Sequence, residues 1–149
     1  MGRDGMSERV LHEIPREESL RLLAGAAMGR VVFTLHALPA IRPVNHIVDD
    51  GDIIIRTHMG AAITAAVNGH ETVVAYEADV IDPEDHIGWS VVVVGPARVV
   101  HDETEISRYR RLLRPWVSGN MDHVIRIRPQ LVTGFRLVTF GEAAEPKDL

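Results

Sequence analysis

The sequence predicts a mainly β protein whose sheet is antiparallel and is flanked by two or three short helices. Two observations carry this prediction. About six or seven short segments are rich in β-branched and aromatic residues, as strands are. The connections between them are mostly tight turns, which can join antiparallel strands but not parallel ones. Closure of such a sheet into a small barrel would remove its exposed edges.

The first half of the chain is predicted to begin with a short amphipathic helix, because Leu20, Leu23 and Ala24 recur at helical spacing. A loop containing Pro39 follows the first strand, and a turn at residues 49–52 joins the next two strands in a hairpin. An alanine-rich segment then predicts a second helix. In order, these elements are a helix over 16–28, strands over 30–36, 41–48 and 53–57, and a helix over 60–67.

The second half contains the longest apolar segment. Four consecutive valines at residues 91–94 suit a strand that is buried on both faces, and Gly95 and Pro96 mark a bend in it. Tyr109 and Leu113 lie on the apolar face of a third predicted helix. In order, the elements are strands over 72–78 and 89–100, a helix over 103–113, and strands over 123–128 and 131–140 that Pro129 separates.

The composition suits one globular domain and excludes several functions. The chain has 149 residues, of which 46% are hydrophobic and 25% charged. Cysteine is absent, which excludes disulfides, thiolate metal sites and thiol nucleophiles. A net charge of −5 gives no general attraction for nucleic acid. Four arginines between residues 108 and 114 form a local basic cluster, for which a solvated helix face is the alternative interpretation.

Nothing in the sequence indicates a membrane segment or a signal peptide. No apolar run reaches the length of a membrane-spanning helix, and the N-terminus lacks an apolar signal core. We therefore expect a cytoplasmic protein without contact to membrane or nucleic acid. We also expect one domain with a core at about residues 16–140, and flexible termini at residues 1–12 and 141–149.

The first candidate site lies where the strand over 53–57 meets the alanine-rich helix. Arg56, Thr57, His58 and Gly60 bring together a positive charge, hydrogen-bond donors and a backbone without a side chain. A bound phosphate requires that combination. The alternative is an exposed arginine at a strand end, followed by a threonine that caps the helix.

A second candidate site lies in the strand over 41–48, where Pro43 and Asn45 depart from the usual strand composition. Asn45 offers a donor and acceptors to the polar edge of a planar heteroaromatic ring. An ordinary edge strand is the alternative. His46 and His58 are the only candidate proton donors near these sites, and a surface or hydrogen-bonded structural role is the alternative for each.

The third candidate is Trp89 with Ser90, at the start of the long apolar strand. A tryptophan where a polar loop meets a sheet could stack on a cofactor or anchor a dimer interface. Burial in the core is the alternative. No pair of histidines, hydrolase motif or carboxylate pair indicates a metal site or hydrolytic chemistry.

The order of these motifs resembles the pyridoxamine 5′-phosphate oxidase-like flavoproteins, in particular the branch that includes nitroimidazole-resistance proteins. The resemblance runs from about residue 20 to residue 137. It rests on the following segments in this order: Gly29-Arg30, Pro43-Val44-Asn45, Asp50-Gly51, Ile55-Arg56-Thr57, Gly60 before an alanine-rich helix, Gly88-Trp89-Ser90 and Gly95.

The resemblance implies a six-stranded antiparallel Greek-key split barrel that forms a homodimer with FMN at the subunit interface. It implies that Arg56 and Thr57 hold the phosphate and that Trp89 and Ser90 approach from the partner subunit. It also implies that Pro43, Val44 and Asn45 present backbone and amide groups to the flavin ring. Arg42, His58 and Gly60 complete the predicted set of cofactor-binding residues.

One departure concerns the phosphate site. Many relatives carry a lysine just after the glycine, where this chain has Ala61 and Ala62. Arg42, His58 or a group from the partner subunit could replace the missing cation. The implied activity is transfer of hydride or electrons to a small substrate. A non-catalytic carrier of flavin, deazaflavin or haem, or a deazaflavin-dependent reductase of the same fold, remains an alternative.

Overall fold

A computed structural model describes residues 8–57, 62–67, 70–114 and 123–139. Within that part the chain forms nine strands and three helices. The prediction of a mainly β, antiparallel fold with short helices is confirmed. The elements are β1 (Arg9–Ile14), α1 (Arg16–Gly25), β2 (Met28–Leu35), β3 (Leu38–Asn45), β4 (Ile47–Asp49), β5 (Asp52–Thr57), α2 (Ala62–Val67), β6 (Thr72–Ile81), β7 (Gly88–Val99), α3 (Glu103–Leu112), β8 (His123–Ile127) and β9 (Leu131–Thr139).

All nine strands belong to one curled antiparallel sheet. The order is β3-β2-β6-β7-β8-β5-β4, and β9 pairs with both β7 and β1. Strand β7 exchanges one partner for another along its length: it pairs with β9 from Gly88 to Val94 and with β8 from Ala97 to Val99. At Gly95, between these two pairings, a Cβ atom would lie 1.8 Å from the carbonyl oxygen of Arg128. Glycine is needed there because two backbones approach closely.

The predicted hairpin between residues 41–48 and 53–57 is largely wrong. His36 and Ala37 adopt positive φ angles of 55° and 64° in a tight turn, so β3 folds back onto β2 along its whole length. Only the short β4, beyond His46, pairs with β5. Pro39 accordingly lies in β3 rather than in a loop. Strand β3 is an edge of the sheet, which is where a strand tolerates proline.

The strand count also exceeds the prediction of six. The additional strands include β4 and β1, and β1 pairs with β9 from Arg9 to Ile14. Residues 9–12, expected to be flexible, are therefore part of the sheet. The other terminal residues for which flexibility is expected, 1–7 and 141–149, lie outside the described residues.

Two apolar clusters hold the fold together. The larger one fills the concave side of the sheet, where Leu23 of α1 and Ile63 of α2 pack against fully buried residues such as Ile55, Tyr76 and Val93. The smaller one lies beneath α3 and contains Ile54, Val100, Tyr109, Leu113 and Val124. Because β5 contributes Ile54 to one cluster and Ile53 and Ile55 to the other, it is buried on both faces.

The side of the sheet opposite the larger cluster carries apolar residues that the described part of the chain leaves exposed. The register joins Ile41, Val32, Ala75, Val94 and Leu131 in one row across five strands. Ile41 is 56% exposed and Leu131 is 65% exposed. We call this surface the outer apolar face. It consists of Val32, Ile41, Val73, Ala75, Val92, Val94 and Leu131.

No helix in the described part of the chain is long and apolar enough to cross a membrane.

Candidate cofactor site

Two of the predicted site residues meet at the C-terminal end of α3. Arg56, near the end of β5, donates from Nη1 to the carbonyl oxygen of Leu113 at 2.8 Å and to that of Arg110 at 3.4 Å. Asn45, at the end of β3, donates from Nδ2 to the carbonyl oxygen of Arg114 at 2.7 Å. The last carbonyl groups of a helix have no partner within the helix, so both side chains satisfy groups that would otherwise be unpaired. We call this place the α3 corner.

Thr57 is next to Arg56 but faces the other side of β5. Its side chain is buried, with 6% of the residue exposed, and its backbone lies opposite His123 of β8. The two remaining residues of the predicted phosphate site, His58 and Gly60, lie outside the described residues.

The position of α3 depends on a group of polar side chains around Tyr109. The Tyr109 hydroxyl donates to Asp49 Oδ2 at 2.6 Å and accepts from Arg126 Nη2 at 3.2 Å. Arg108 binds both carboxylate oxygens of Asp49, at 2.6 and 3.2 Å. Burial and the hydrogen bond to Asp49 raise the pKa of the Tyr109 hydroxyl. These contacts attach α3 to β4 and β8. The polar role of Tyr109 is not evident from the sequence, in which Tyr109 lies on the apolar face of the third predicted helix.

The other residues of β3 lie along the edge of the sheet. Arg42 is exposed, donates to the carbonyl oxygen of Ile41 at 2.9 Å and lies 6.0 Å from the centre of the Phe33 ring. Pro43 is opposite Arg30. Val44 packs against the main core, and its carbonyl oxygen lies 3.0 Å from the Tyr76 hydroxyl. Within the described part of the chain, Asn45 is the one predicted site residue of β3 whose side chain forms a hydrogen bond at the α3 corner.

His46 is buried between α1 and β6, and both of its ring nitrogens have partners. Nε2 donates to the carbonyl oxygen of Leu23 at 2.9 Å. Nδ1 lies 2.6 Å from the Tyr76 hydroxyl, which therefore donates to it when the ring is neutral. Burial lowers the pKa of His46, and the bond to Leu23 opposes that effect less strongly. The geometry favours the structural alternative over a proton donor that reaches a substrate.

Trp89 and Ser90 lie at the N-terminal end of β7, where they pair with Val80 and Asp79 of β6. Trp89 is half-buried and packs against the edge of the main core. Neither side chain makes a hydrogen bond to another residue within the described ranges. The structure therefore does not join these two residues to the α3 corner within one subunit.

At the α3 corner, the guanidinium of Arg56 and the amide of Asn45 both donate to backbone carbonyl oxygens around the C-terminal end of α3. These carbonyl oxygens belong to Arg110, Leu113 and Arg114. Among the described residues, no group of His, Asp and Glu could hold a metal ion. A cavity of about 430 Å³ lies at the opposite, N-terminal end of α3, with Arg98, His101 and Asp102 in its lining. None of the predicted site residues in the described part of the chain lines that cavity.

A family model for pyridoxamine 5′-phosphate oxidase matches residues 15–136. The chain belongs to this family, as its sequence resemblance suggests. An uncharacterized protein of Mycobacterium tuberculosis, Rv0080, is 53% identical over 135 residues, and the match covers 89% of each chain.

Two solved structures extend the comparison. A candidate pyridoxamine 5′-phosphate oxidase from Corynebacterium glutamicum is 32% identical, with a TM-score of 0.72 over 93% of this chain and 98% of that one. An FAD-binding protein from Mycobacterium smegmatis is also 32% identical, with a TM-score of 0.66 over 83% and 97% of the two chains. The fold is therefore the split barrel of this family, and the family includes flavin-binding proteins.

Proposed function

We propose that the protein is a cytoplasmic, flavin-binding oxidoreductase that holds FMN at the interface of a homodimer. The observation that carries this proposal is the meeting of Arg56 and Asn45 at the α3 corner. Bound flavin would supply the transfer of hydride or electrons, and the protein would supply binding and orientation.

Arg56 and Thr57 are the proposed phosphate ligands, although the buried side chain of Thr57 faces the other side of β5, so that Arg56 is the ligand on the α3 side. An arginine guanidinium can bind two oxygens of a phosphate at once, and such charge-assisted bonds are stronger than neutral ones. Arg42, His58 or a group of the partner subunit would supply the positive charge of the lysine that Ala61 and Ala62 replace. Asn45 and the backbone of Pro43 and Val44 are proposed to face the flavin ring. The proposal retains Arg42, His58 and Gly60 as further contacts.

A homodimer is supported by the outer apolar face. Exposed apolar patches of this kind mark interaction surfaces, and Ile41, Val73 and Leu131 are each more than half exposed in one chain. A second copy would cover them. Trp89 and Ser90 are proposed to reach the flavin of the partner subunit, because the indole N–H of Trp89 has no partner among the described residues of its own chain.

The proposed phosphate site is tested by Arg56→Ala. Loss of one charge-assisted contact of about 1.5 to 3 kcal/mol should weaken FMN binding roughly ten-fold to a hundred-fold. The assay is quenching of flavin fluorescence during titration with FMN, and a parallel titration with FAD tests the choice of mononucleotide. Arg21→Ala, which removes an exposed arginine on α1, is the matched control. An unchanged dissociation constant in Arg56→Ala would reject the assignment.

Catalysis is tested on the flavin-loaded protein. Addition of NADH or NADPH should bleach the visible absorbance of the flavin, and air should restore it. Tight binding of FMN without bleaching would replace the oxidoreductase with a carrier. Bleaching only with a reduced deazaflavin would identify a deazaflavin-dependent enzyme.

The proposed dimer is tested by Ile41→Lys, which places a charge on the outer apolar face at its β3 edge. Burial of an unpaired charge is strongly unfavourable, so the variant should elute as a monomer when its mass is measured by light scattering. Ala24→Lys, at an exposed position on α1, should leave the wild-type mass unchanged. A dimer of unchanged stability in Ile41→Lys would exclude this face as the interface.

A further inference from the structure

A continuous chain of hydrogen bonds runs from β4 to the proposed phosphate ligand. Asp49 accepts from the Tyr109 hydroxyl at 2.6 Å. The carbonyl oxygen of Tyr109 accepts from the backbone N–H of Leu113 at 2.8 Å. The carbonyl oxygen of Leu113 in turn accepts from Arg56 at 2.8 Å. Tyr109 and Arg56 thus lie on either side of a single helical turn, which is about 5.4 Å long.

The side chains around Tyr109 fix that turn from several directions. The tyrosine is fully buried, and its ring lies 5.0 Å from the guanidinium carbon of Arg108 and 5.7 Å from that of Arg126. Arg126 also binds Asp52 at 3.2 Å and Glu105 at 3.0 Å. The hydroxyl connects the Asp49 and Arg126 parts of this network, because it is bonded to both.

We propose that Tyr109, held by Asp49, is a positioning residue for phosphate recognition by Arg56. The inference rests on the proposed function, because it assumes that Arg56 binds the cofactor phosphate. Arg56 bonds to the carbonyl oxygen of Leu113, so the direction of its guanidinium depends on where α3 ends. The end of α3 depends in turn on the network around Tyr109. Neither Tyr109 nor Asp49 needs to touch the cofactor.

The energetic reason is conformational entropy. Fixing a free arginine side chain costs side-chain conformational entropy, and ligand binding bears less of this cost when the protein has already oriented the side chain. The hydrogen bond to the Leu113 carbonyl oxygen orients the Arg56 guanidinium in this way. If the turn between Tyr109 and Leu113 shifts, Arg56 keeps its charge but loses its fixed direction, and the phosphate-dependent part of the affinity falls.

The test compares FMN with riboflavin, which is the same ring and ribityl chain without the phosphate. The dissociation constant for riboflavin divided by that for FMN measures phosphate recognition alone, and a lower ratio means weaker recognition of the phosphate. Tyr109→Phe removes the hydroxyl and keeps the buried ring, and we expect it to lower this ratio about five-fold. Affinity for riboflavin should change little. In an Arg56→Ala background, Tyr109→Phe should have no further effect on the ratio, because the residue that it positions is gone.

Two further variants keep the test decisive. Ser19→Ala removes another buried hydroxyl, which bonds to the Ile14 carbonyl oxygen at 3.3 Å far from α3, and it should leave the ratio at the wild-type value. Asp49→Asn weakens the same network without removing Tyr109, and should lower the ratio as Tyr109→Phe does. A preserved ratio in both Tyr109→Phe and Asp49→Asn would overturn the inference and leave the proposed function standing. A wild-type protein that binds riboflavin as tightly as FMN would overturn the phosphate site itself.

Discussion

The buried His46 predicts a specific loss of stability in acid. Its Nε2 donates to the Leu23 carbonyl oxygen, its Nδ1 contacts the Tyr76 hydroxyl, and burial lowers its pKa below the ordinary histidine value of about 6.5. In the unfolded chain the ring takes up a proton near that value, whereas the folded chain resists protonation. A histidine with a lowered folded pKa stabilises the fold fully above the unfolded pKa. That contribution is lost as the pH falls below 6.5 towards the folded pKa.

The size of the effect follows from proton linkage. One proton bound by the unfolded chain alone changes the free energy of unfolding by about 1.4 kcal/mol per pH unit. Between about pH 7.5 and pH 5.5 this amounts to at most about 1.4 kcal/mol, because the unfolded histidine is only partly protonated over half of that interval. His46→Gln removes the titration. We therefore expect the variant to lose less stability than the wild type over the same interval.

The assay is urea unfolding followed by circular dichroism at several pH values. The change of free energy with pH is compared between variants, so that a general destabilisation by His46→Gln does not affect the result. His12→Gln is the control, since His12 is exposed on β1, and it should reproduce the wild-type slope. If the free energy of unfolding changed equally with pH in wild type and His46→Gln, the conclusion that His46 is neutral and hydrogen-bonded in the folded protein would be refuted.

Two more predictions concern β7. Trp89→Ala should weaken both dimerisation and FMN binding, because an aromatic anchor contributes strongly to the binding energy of an interface. Light scattering measures the first and fluorescence quenching the second. A stable dimer with normal FMN affinity would contradict the proposal that Trp89 reaches the flavin of the partner subunit. Gly95→Ala should lower the free energy of unfolding by at least about 2 kcal/mol, since its Cβ would collide with the backbone of Arg128. Gly25→Ala, where a Cβ meets nothing within 4 Å, should not destabilise in urea titrations; equal effects of the two would contradict the close approach.

Local pattern predicts most strands and helices, but it does not predict how they pair. The segment over 41–48 looks continuous in sequence, yet the chain divides at His46, whose partners Leu23 and Tyr76 are 23 and 30 residues away. A histidine in a strand pattern gives no indication that it is buried. The turn at His36 and Ala37 has no glycine, proline, asparagine or aspartate as a local signal, and alanine rarely adopts the positive φ angle that Ala37 has.

At the candidate site, too, the sequence indicates single residues but not their partners. Arg56 stands out in sequence because an arginine and a threonine end a strand before a glycine. Its partner Leu113 is 57 residues away, and the partner of Asn45, Arg114, is 69 residues away. Such contacts depend on tertiary packing and leave no local signal. For the same reason, Tyr109 reads as an apolar residue at helical spacing although its hydroxyl connects two ionic groups.

The change of partner along β7 has a consequence for how the molecule opens. This strand shares backbone hydrogen bonds with β6, β8 and β9, so neither end of the sheet can separate without breaking bonds that the other end also uses. Local opening events exchange amide protons only where a segment can detach on its own. The amides of Val91 and Val93, both fully buried, should therefore exchange with deuterium only through global unfolding, whereas those of the edge strand β3 exchange through fraying.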